Sequence, residues 1–332
     1  MANTEVAEPA PLLSCENLAV HYRAGGELVR AVDGVSLSIG AGETLGLVGE
    51  SGSGKSTLGR ALVGLTSPAS GTIRFRGRDV ATSDPKELRR RIAMVFQNPY
   101  AALNPRMTVQ AILADPLRVH ELGTAATRRR RVAEMLELVG LDPALATRFP
   151  HQFSGGQRQR LGIARALMLE PDLIVCDEPV SALDVSIQAQ ILNLLQELQQ
   201  RLGIGMLLIS HDLAVIRQLA NRIAVMYFGR IVETGGCEDI YERVGHPYTR
   251  ALLDSVHVPD PQAERARHRE LLSGEIPNPA TPPAGCRFHS RCPLRRQLGE
   301  PPDCVEREPA LGAATATHRV ACHFPVPAAA AN

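Results

Sequence analysis

The stretch "TLGLVGESGSGKST", residues 44–57, decides how this chain folds. Its first five residues form an apolar run of the kind that makes a short buried strand. Its remainder fits G-x-x-x-x-G-K-[ST], with Gly49 opening the loop and Lys55 and Ser56 closing it. Gly49, Gly52 and Gly54 let the backbone curl so that amide N–H groups, those of Ser51 and Ser53 among them, face inward around phosphate oxygens. A helix beginning near Lys55 and running through Thr57 aims its positive end at the same anion. Lys55 supplies a point charge to the terminal phosphates, and Ser56 offers a hydroxyl to Mg²⁺. Strand, loop and helix in this order predict a nucleoside-triphosphate site rather than a Gly/Ser-rich turn.

Such a site needs a carboxylate opposite Ser56. "LIVCDEP", residues 173–179, places Asp177 and Glu178 at the end of a second apolar run. Asp177 is the expected Mg²⁺ partner, and Glu178 stands where it could orient or deprotonate an attacking water. A third run, "MLLIS" (206–210), precedes His211. Between these strands, Ile187, Ile191, Leu194, Leu195 and Leu198 recur at helical spacing within 187–202. Strands alternating with helices predict an α/β core with a mainly parallel sheet.

Other segments have a different texture. "LLSCENLAVHY" and "AVDGVSLSI" read as antiparallel strands of a small β-layer before the core. Residues 105–165 read as chiefly helical, an inserted subdomain. "RRRR" at 128–131 leads into Val132, Met135, Leu136 and Val139 at helical spacing, which makes it the solvated face of an amphipathic helix. The Pro-rich "PNPATPPAG" (277–285) reads as a linker or extended loop. The expected organisation is a flexible start (1–11), a nucleotide-binding unit (12–255) with its helical subdomain at about 98–165, a C-terminal extension (256–324) and a tail (325–332).

Composition excludes several classes. The chain has 332 residues, 44% of them hydrophobic and 21% charged, with a formal net charge of +1. No overall field draws it to nucleic acid, and with 4% aromatics and no Trp it has few platforms for stacked bases. "MANTEVAEPAPL" lacks the basic start and apolar stretch of a secretory signal, and no apolar run approaches a membrane span. A cytosolic chain that docks on a membrane protein is the expectation, with its thiols reduced.

"FSGGQRQR" (153–160) sets Ser154, Gly155 and Gly156 at the start of a helix, a second anion-binding device in a chain with one phosphate loop. It makes sense if it closes on the nucleotide of another subunit. Here the chain resembles the nucleotide-binding subunits of ABC transporters. The resemblance implies that Tyr22 stacks on adenine and that Gln97 senses Mg²⁺ and the attacking water. It implies that Ser154, Gly155, Gly156 and Gln157 form the signature read by the partner's ATP, with Phe153 where Leu is commoner. It also implies that "SALD" (181–184), with Asp184, lies where two ATPase subunits meet, and that His211 touches the γ-phosphate. "FQNPYAALNPR" (96–106), "DEPVSALDVSIQAQILNLL" (177–195) and "GHPYTRALL" (245–253) are similar to the ATPase subunits of oligopeptide/dipeptide importers, closer to the second of their two types. The resemblance implies ATP hydrolysis energising peptide import, with nickel or another small solute as the alternative cargo. It implies a related second ATPase subunit in a heterodimer, two transmembrane permease subunits and an extracytoplasmic solute-binding protein. It places the chain on the cytoplasmic face of the inner membrane, with no nucleic-acid partner. A non-transport ABC ATPase is the more distant alternative, since such proteins carry large insertions or two fused units and this chain has no such insertion and one phosphate loop.

The C-terminal part holds Cys286, Cys292, Cys304 and Cys322, four of the seven cysteines. Their spacing, C-x5-C-x11-C-x17-C, is neither a zinc-ribbon nor a ferredoxin pattern, and leaves open a metal or cluster site or reduced structural thiols. Importer subunits with this extension are associated with a [4Fe–4S] cluster on four cysteines, so the resemblance implies one here. A Cys/His zinc site using His289, His318 or His323 is the runner-up.

Overall fold

A computed structural model describes residues 10–98, 102–181, 183–255, 277–278 and 280–326. Two sheets organise it. The smaller is antiparallel, in the order β2 (Glu27–Ile39), β1 (Leu13–Ala24), β4 (Ser70–Phe75), β5 (Arg78–Asp79). The two long N-terminal strands pair in antiparallel register, Leu13 opposite Ile39 and Tyr22 opposite Val29, as their alternating pattern predicts.

The larger sheet has a parallel centre. Its strands are β3 (Thr44–Val48), β6 (Ile92–Val95), β7 (Leu173–Asp177), β8 (Gly205–Ser210) and β9 (Arg222–Tyr227), ordered β9-β3-β8-β7-β6. Every residue of β3, β7 and β8 is buried, which is why they read as continuous apolar runs without alternation. Beyond β9 the sheet turns antiparallel through β10 (Arg230–Gly236), β12 (Arg319–Val320) and β11 (Gly312–Ala313). The C-terminal extension thus adds strands to the edge of the main sheet instead of standing as a separate lobe.

One core cluster joins the small sheet and the helix Lys55–Leu62 to one side of the parallel strands. The other side packs against the helices Val109–Val119, Ala125–Leu138, Gly155–Leu167 and Val185–Leu202. Ala125–Leu138 starts at a reciprocal Thr124/Thr127 capping box and buries Val132, Met135 and Leu136. Arg129 and Arg130 of the four-arginine run are exposed, whereas Arg131 is half-buried and pairs with Glu170 at 2.8 Å. Val185–Leu202 buries Ile191, Leu194, Leu195 and Leu198 and ends at Gly203 in the left-handed conformation. The helix starts two residues before the apolar repeat, with Asp184 at the N-cap position, its carbonyl accepting from the Ile187 and Gln188 N–H groups. Residues 1–9 of the expected flexible start, the opening of the expected extension (256–276) and the end of the tail (327–332) lie outside the described residues, while the described part of the expected linker at 277–285 forms neither helix nor strand.

Candidate functional site

Parallel register assembles the site. Val48 lies beside Ser210, Asp177 beside Ile209, and Val95 beside Cys176. Residues that follow the carboxyl ends of β3, β6, β7 and β8 therefore converge: the phosphate loop, Gln97, Glu178 and His211. This is where ligands bind in open α/β sheets.

The phosphate loop is held by close backbone packing at two glycines. A Cβ on Gly49 would sit 2.1 Å from the Met226 carbonyl oxygen. One on Gly54, whose φ is +104°, would sit 2.1 Å from that of Ala31. Gly54 is also the N-cap of the helix Lys55–Leu62. Lys55 is buried, and its Nζ donates to the Gly49 carbonyl at 2.7 Å and the Glu50 carbonyl at 2.9 Å. Burial pulls the Lys55 pKa below the ordinary lysine range, against the opposing charges of Glu178, Asp177 and Glu50.

Across the loop, the Ser56 hydroxyl donates to Asp177 Oδ1 at 2.7 Å. Asp177 is buried, and burial raises its pKa despite the Ser56 hydrogen bond and the charge of Arg60. Glu178 follows directly, with φ at +46°, a costly backbone conformation for a residue with a Cβ. Its N–H donates to the Ile209 carbonyl at 3.0 Å, so this turn is tied to β8. The strained turn directs the carboxylate outward, where Gln97 Nε2 donates to Oε2 at 2.9 Å and His211 Nδ1 lies 3.4 Å from Oε1. The oxygen atoms of Ser56, Asp177 and Gln97 are of the kind that suits a hard divalent ion that also takes phosphate and water ligands.

Gly54, Lys55, Ser56, Gln97, Glu178 and His211 line one cavity of about 720 Å³, with Tyr22, Ser51, Gly52 and Thr57 also on its wall and Gly49, Ser53 and Asp177 off it. Tyr22 is 47% exposed at the mouth. The wall also includes Glu50 and, from the helix Pro247–Ser255, Ala251, Leu252, Asp254 and Ser255, which sequence reasoning did not single out. The apolar periodicity of "GHPYTRALL" was the available signal, and it points to packing, not to a ligand. Ser154, Gly155, Gly156 and Gln157 are absent from this wall. Ser154 caps the helix Gly155–Leu167, reciprocally with Gln157, and a Cβ on Gly156 would meet Ile187 at 2.6 Å. Asp184, the other interface candidate, sits nearby as N-cap of Val185–Leu202.

Comparison with known proteins agrees with this geometry. The family model described as ABC transporter matches residues 32–181, and that described as oligopeptide/dipeptide transporter, C-terminal region, matches 232–298. A putative peptide import ATP-binding protein of Brucella ovis is 54% identical over 287 residues, 86% of this chain and 90% of that protein. The oligopeptide transport ATP-binding protein OppF of Salmonella typhimurium is 46% identical over 333 residues, 96% of this chain and 98% of its own. This chain belongs to the ATP-binding subunits of ABC transporters. A dimeric post-hydrolysis ATP-binding cassette, MJ0796, bound to ADP and Pi, superposes with a TM-score of 0.62 at 32% identity, covering 68% of this chain and 98% of that one. As a member of the family, this ABC subunit is an ATPase. Among its described residues no helix is long and apolar enough to cross a membrane.

The four C-terminal cysteines gather in one neighbourhood of this ABC subunit. Burial pushes the Cys286 thiol up to about 12, and the charges of Cys322, Cys292 and Cys304 push the same way. Cys322 is raised to about 11 by burial and then by Cys292 and Cys304. The Cys286 N–H donates to the Cys304 carbonyl at 2.9 Å, which ties the first of the four cysteine positions to the third. Yet among the described residues no group of three or more His, Cys, Asp or Glu stands where it could hold a metal ion. His289 Nδ1 is taken up with the Cys286 carbonyl at 2.8 Å, and His318 Nε2 with Glu233 at 2.7 Å.

Proposed function

We propose that this ABC ATPase energises import of peptides, as the second-type ATPase subunit of an oligopeptide/dipeptide transporter. The observation that carries this reading is the continuity of the likeness: 46% identity to an oligopeptide transport ATP-binding protein runs through 96% of this chain, extension included. In this reading residues 12–255 form the ATPase unit, with the helical subdomain at about 98–165, and 256–324 the extension. The partners are a related ATPase subunit, two permease subunits and an extracytoplasmic solute-binding protein. The subunit sits peripherally on the cytoplasmic face of the inner membrane.

Tyr22 stacks on adenine, and the loop from Gly49 to Thr57 wraps the phosphates with Lys55 as its point charge. Ser56 and Asp177, with Gln97 nearby, hold Mg²⁺, which when bound neutralises phosphate charge. Glu178 accepts a proton from the attacking water at its carboxylate, and Gln97 and His211 fix that carboxylate and the γ-phosphate side of the cavity. Ser154, Gly155, Gly156 and Gln157 present a helix N-terminus to the partner's ATP, and Asp184 lies in the same interface. Their position off the cavity wall of their own chain supports a role in trans. Cys286, Cys292, Cys304 and Cys322 hold a [4Fe–4S] cluster. The support for it is the nearness of the four thiols, with Cys322, Cys292 and Cys304 close enough to Cys286 to push its pKa up.

Affinity purification of the tagged chain from membranes, followed by reconstitution with its co-purifying subunits, tests the reading. Peptide uptake that depends on ATP hydrolysis is expected. Co-purification with a nickel-binding or other small-solute receptor, and no peptide uptake, overturns the cargo.

A further inference from the structure

The phosphate loop carries an acidic side chain. Within "GESGSGKST" Glu50 is the one carboxylate, and it lines the same cavity as Lys55 and Ser56. A carboxylate in an anion cradle opposes what the cradle binds. Its partner comes from the far end of the chain. Arg291, in the extension between Cys286 and Cys292, grips Glu50 with both arms of its guanidinium, Nη1 to Oε2 at 2.8 Å and Nη2 to Oε1 at 3.1 Å. The Arg291 side chain is 7% exposed and that of Glu50 24%. Nη1 also reaches the Tyr227 hydroxyl at 3.4 Å, with the guanidinium 6.0 Å from that ring's centroid. The rest of Glu50 is equally constrained. Its N–H donates to the Tyr248 hydroxyl at 2.7 Å, and its carbonyl accepts from Lys55 Nζ at 2.9 Å and the Ser53 N–H at 3.2 Å.

We infer that Arg291 is a positioning residue of the nucleotide site, neutralising Glu50 and fixing the phosphate loop so that the cradle accepts a polyphosphate. The inference rests on the cavity being the ATP site. It makes the extension part of the nucleotide-binding apparatus. A bidentate, largely buried pair of this kind is the geometry in which charge compensation is strongest.

Equilibrium binding of Mg-ATP and Mg-ADP to the full-length chain and its variants tests it. Arg291→Ala is expected to weaken ATP binding about tenfold or more, since it leaves an uncompensated carboxylate beside the phosphates. The loss is larger for ATP than for ADP, because ATP carries one more negative charge. Arg291→Lys keeps part of the affinity. Glu50→Gln alone raises ATP affinity, and Glu50→Gln combined with Arg291→Ala restores it, a non-additivity that a purely structural arginine would not show. ATP affinity unchanged in Arg291→Ala overturns the inference. So does a double variant as weak as Arg291→Ala, or, if Arg291→Ala fails to fold, a Glu50→Gln variant that binds ATP more weakly than the wild type. A wild-type chain that binds no ATP overturns the reading of the cavity itself.

Discussion

The nucleotide site and the cysteine-bearing extension are built in opposite ways. The reacting groups of the nucleotide site are specified locally: Gln97, Glu178 and His211 come just after buried parallel strands, Lys55 closes the loop after another, and register brings them together. The extension has short strands and helices and borrows its order from elsewhere. Phe288 is 1% exposed, but its neighbours are Tyr227, Tyr248 and His246 of the ATPase unit. Arg287 donates to the Phe228 carbonyl at 2.7 Å and pairs with Asp33 of the small sheet. A site made from strand ends is vulnerable at its reacting groups and at the close-packed Gly49 and Gly54 of its loop. A segment folded on borrowed contacts is exposed to failure at the seam.

The largest expected effect lies at the reacting groups. Glu178→Gln keeps the strained turn and its hydrogen bond to Ile209, and removes only the proton acceptor. ATP hydrolysis by the assembled transporter is expected to fall about 10⁴-fold, roughly 5.5 kcal/mol, with ATP affinity retained. Turnover near the wild-type rate would remove Glu178 from its role, and a parallel loss of ATP binding would mean that the turn had collapsed.

At the seam, Phe288→Ala is expected to cost about 4 kcal/mol in denaturant or thermal unfolding of the full chain. The side chain packs edge-on to Tyr227 and Tyr248, at 5.2 and 5.4 Å between centroids, in the main core. Tyr248 in turn holds the Glu50 N–H, so ATP affinity should fall as well. If the extension melts alone and the ATPase core keeps both stability and ATP affinity, the contrast between the two regions is sharper than proposed and the seam is not shared.

The parts legible in the sequence are those with one-dimensional signatures. The loop at 49–57, the strand ending in Asp177, the capped helix at Ser154 and the antiparallel pair before them all follow from spacing and apolar periodicity. The seam was not legible, for physical reasons. Arg291 and Glu50 are 241 positions apart, and nothing in "HSRCP" distinguishes a buried arginine from a solvated one. The extension, marked in sequence only by its proline and cysteine spacing, touches the phosphate loop through Arg291. Likewise, Asp33 and Arg287 are 254 positions apart and gain their meaning only once β2 and the extension are packed. Short-range pattern cannot report such pairs.

The seam also makes the fold acid-sensitive. His246 is buried, its Nδ1 accepts from the Tyr248 N–H at 3.0 Å, and burial pushes its pKa down to about 4, against the pull of Glu233 and the Ala321 carbonyl. An unfolded histidine titrates near about 6.5. Between the two values the unfolded chain binds a proton that the folded chain does not, so stability falls as pH drops from about 6.5 toward 4, by about 3 kcal/mol in all. Denaturant unfolding at pH 7 and pH 4.5 measures the slope, and His246→Gln should flatten it. An unchanged slope would assign the acid sensitivity to other groups.

The smallest effect is expected at the mouth of the nucleotide site. Tyr22 comes from β1 of the small sheet, opposite Val29, and reaches the cavity wall with nearly half its surface open to solvent. With the ring that exposed, Tyr22→Ala should leave unfolding nearly unchanged. If the ring stacks on adenine, its removal costs about 1 kcal/mol of binding, close to a sixfold loss of ATP affinity. The maximal rate is expected to stay, because the phosphates remain held by the loop and Lys55. Tyr22→Phe should bind as the wild type does, since stacking uses the face of the ring and not its hydroxyl. Equal affinities for ATP and for inorganic triphosphate in the wild-type chain would mean that the base makes no favourable contact at all. The small sheet would then serve the nucleotide site only as a wall, and the site would be read entirely from the strand ends of the main sheet.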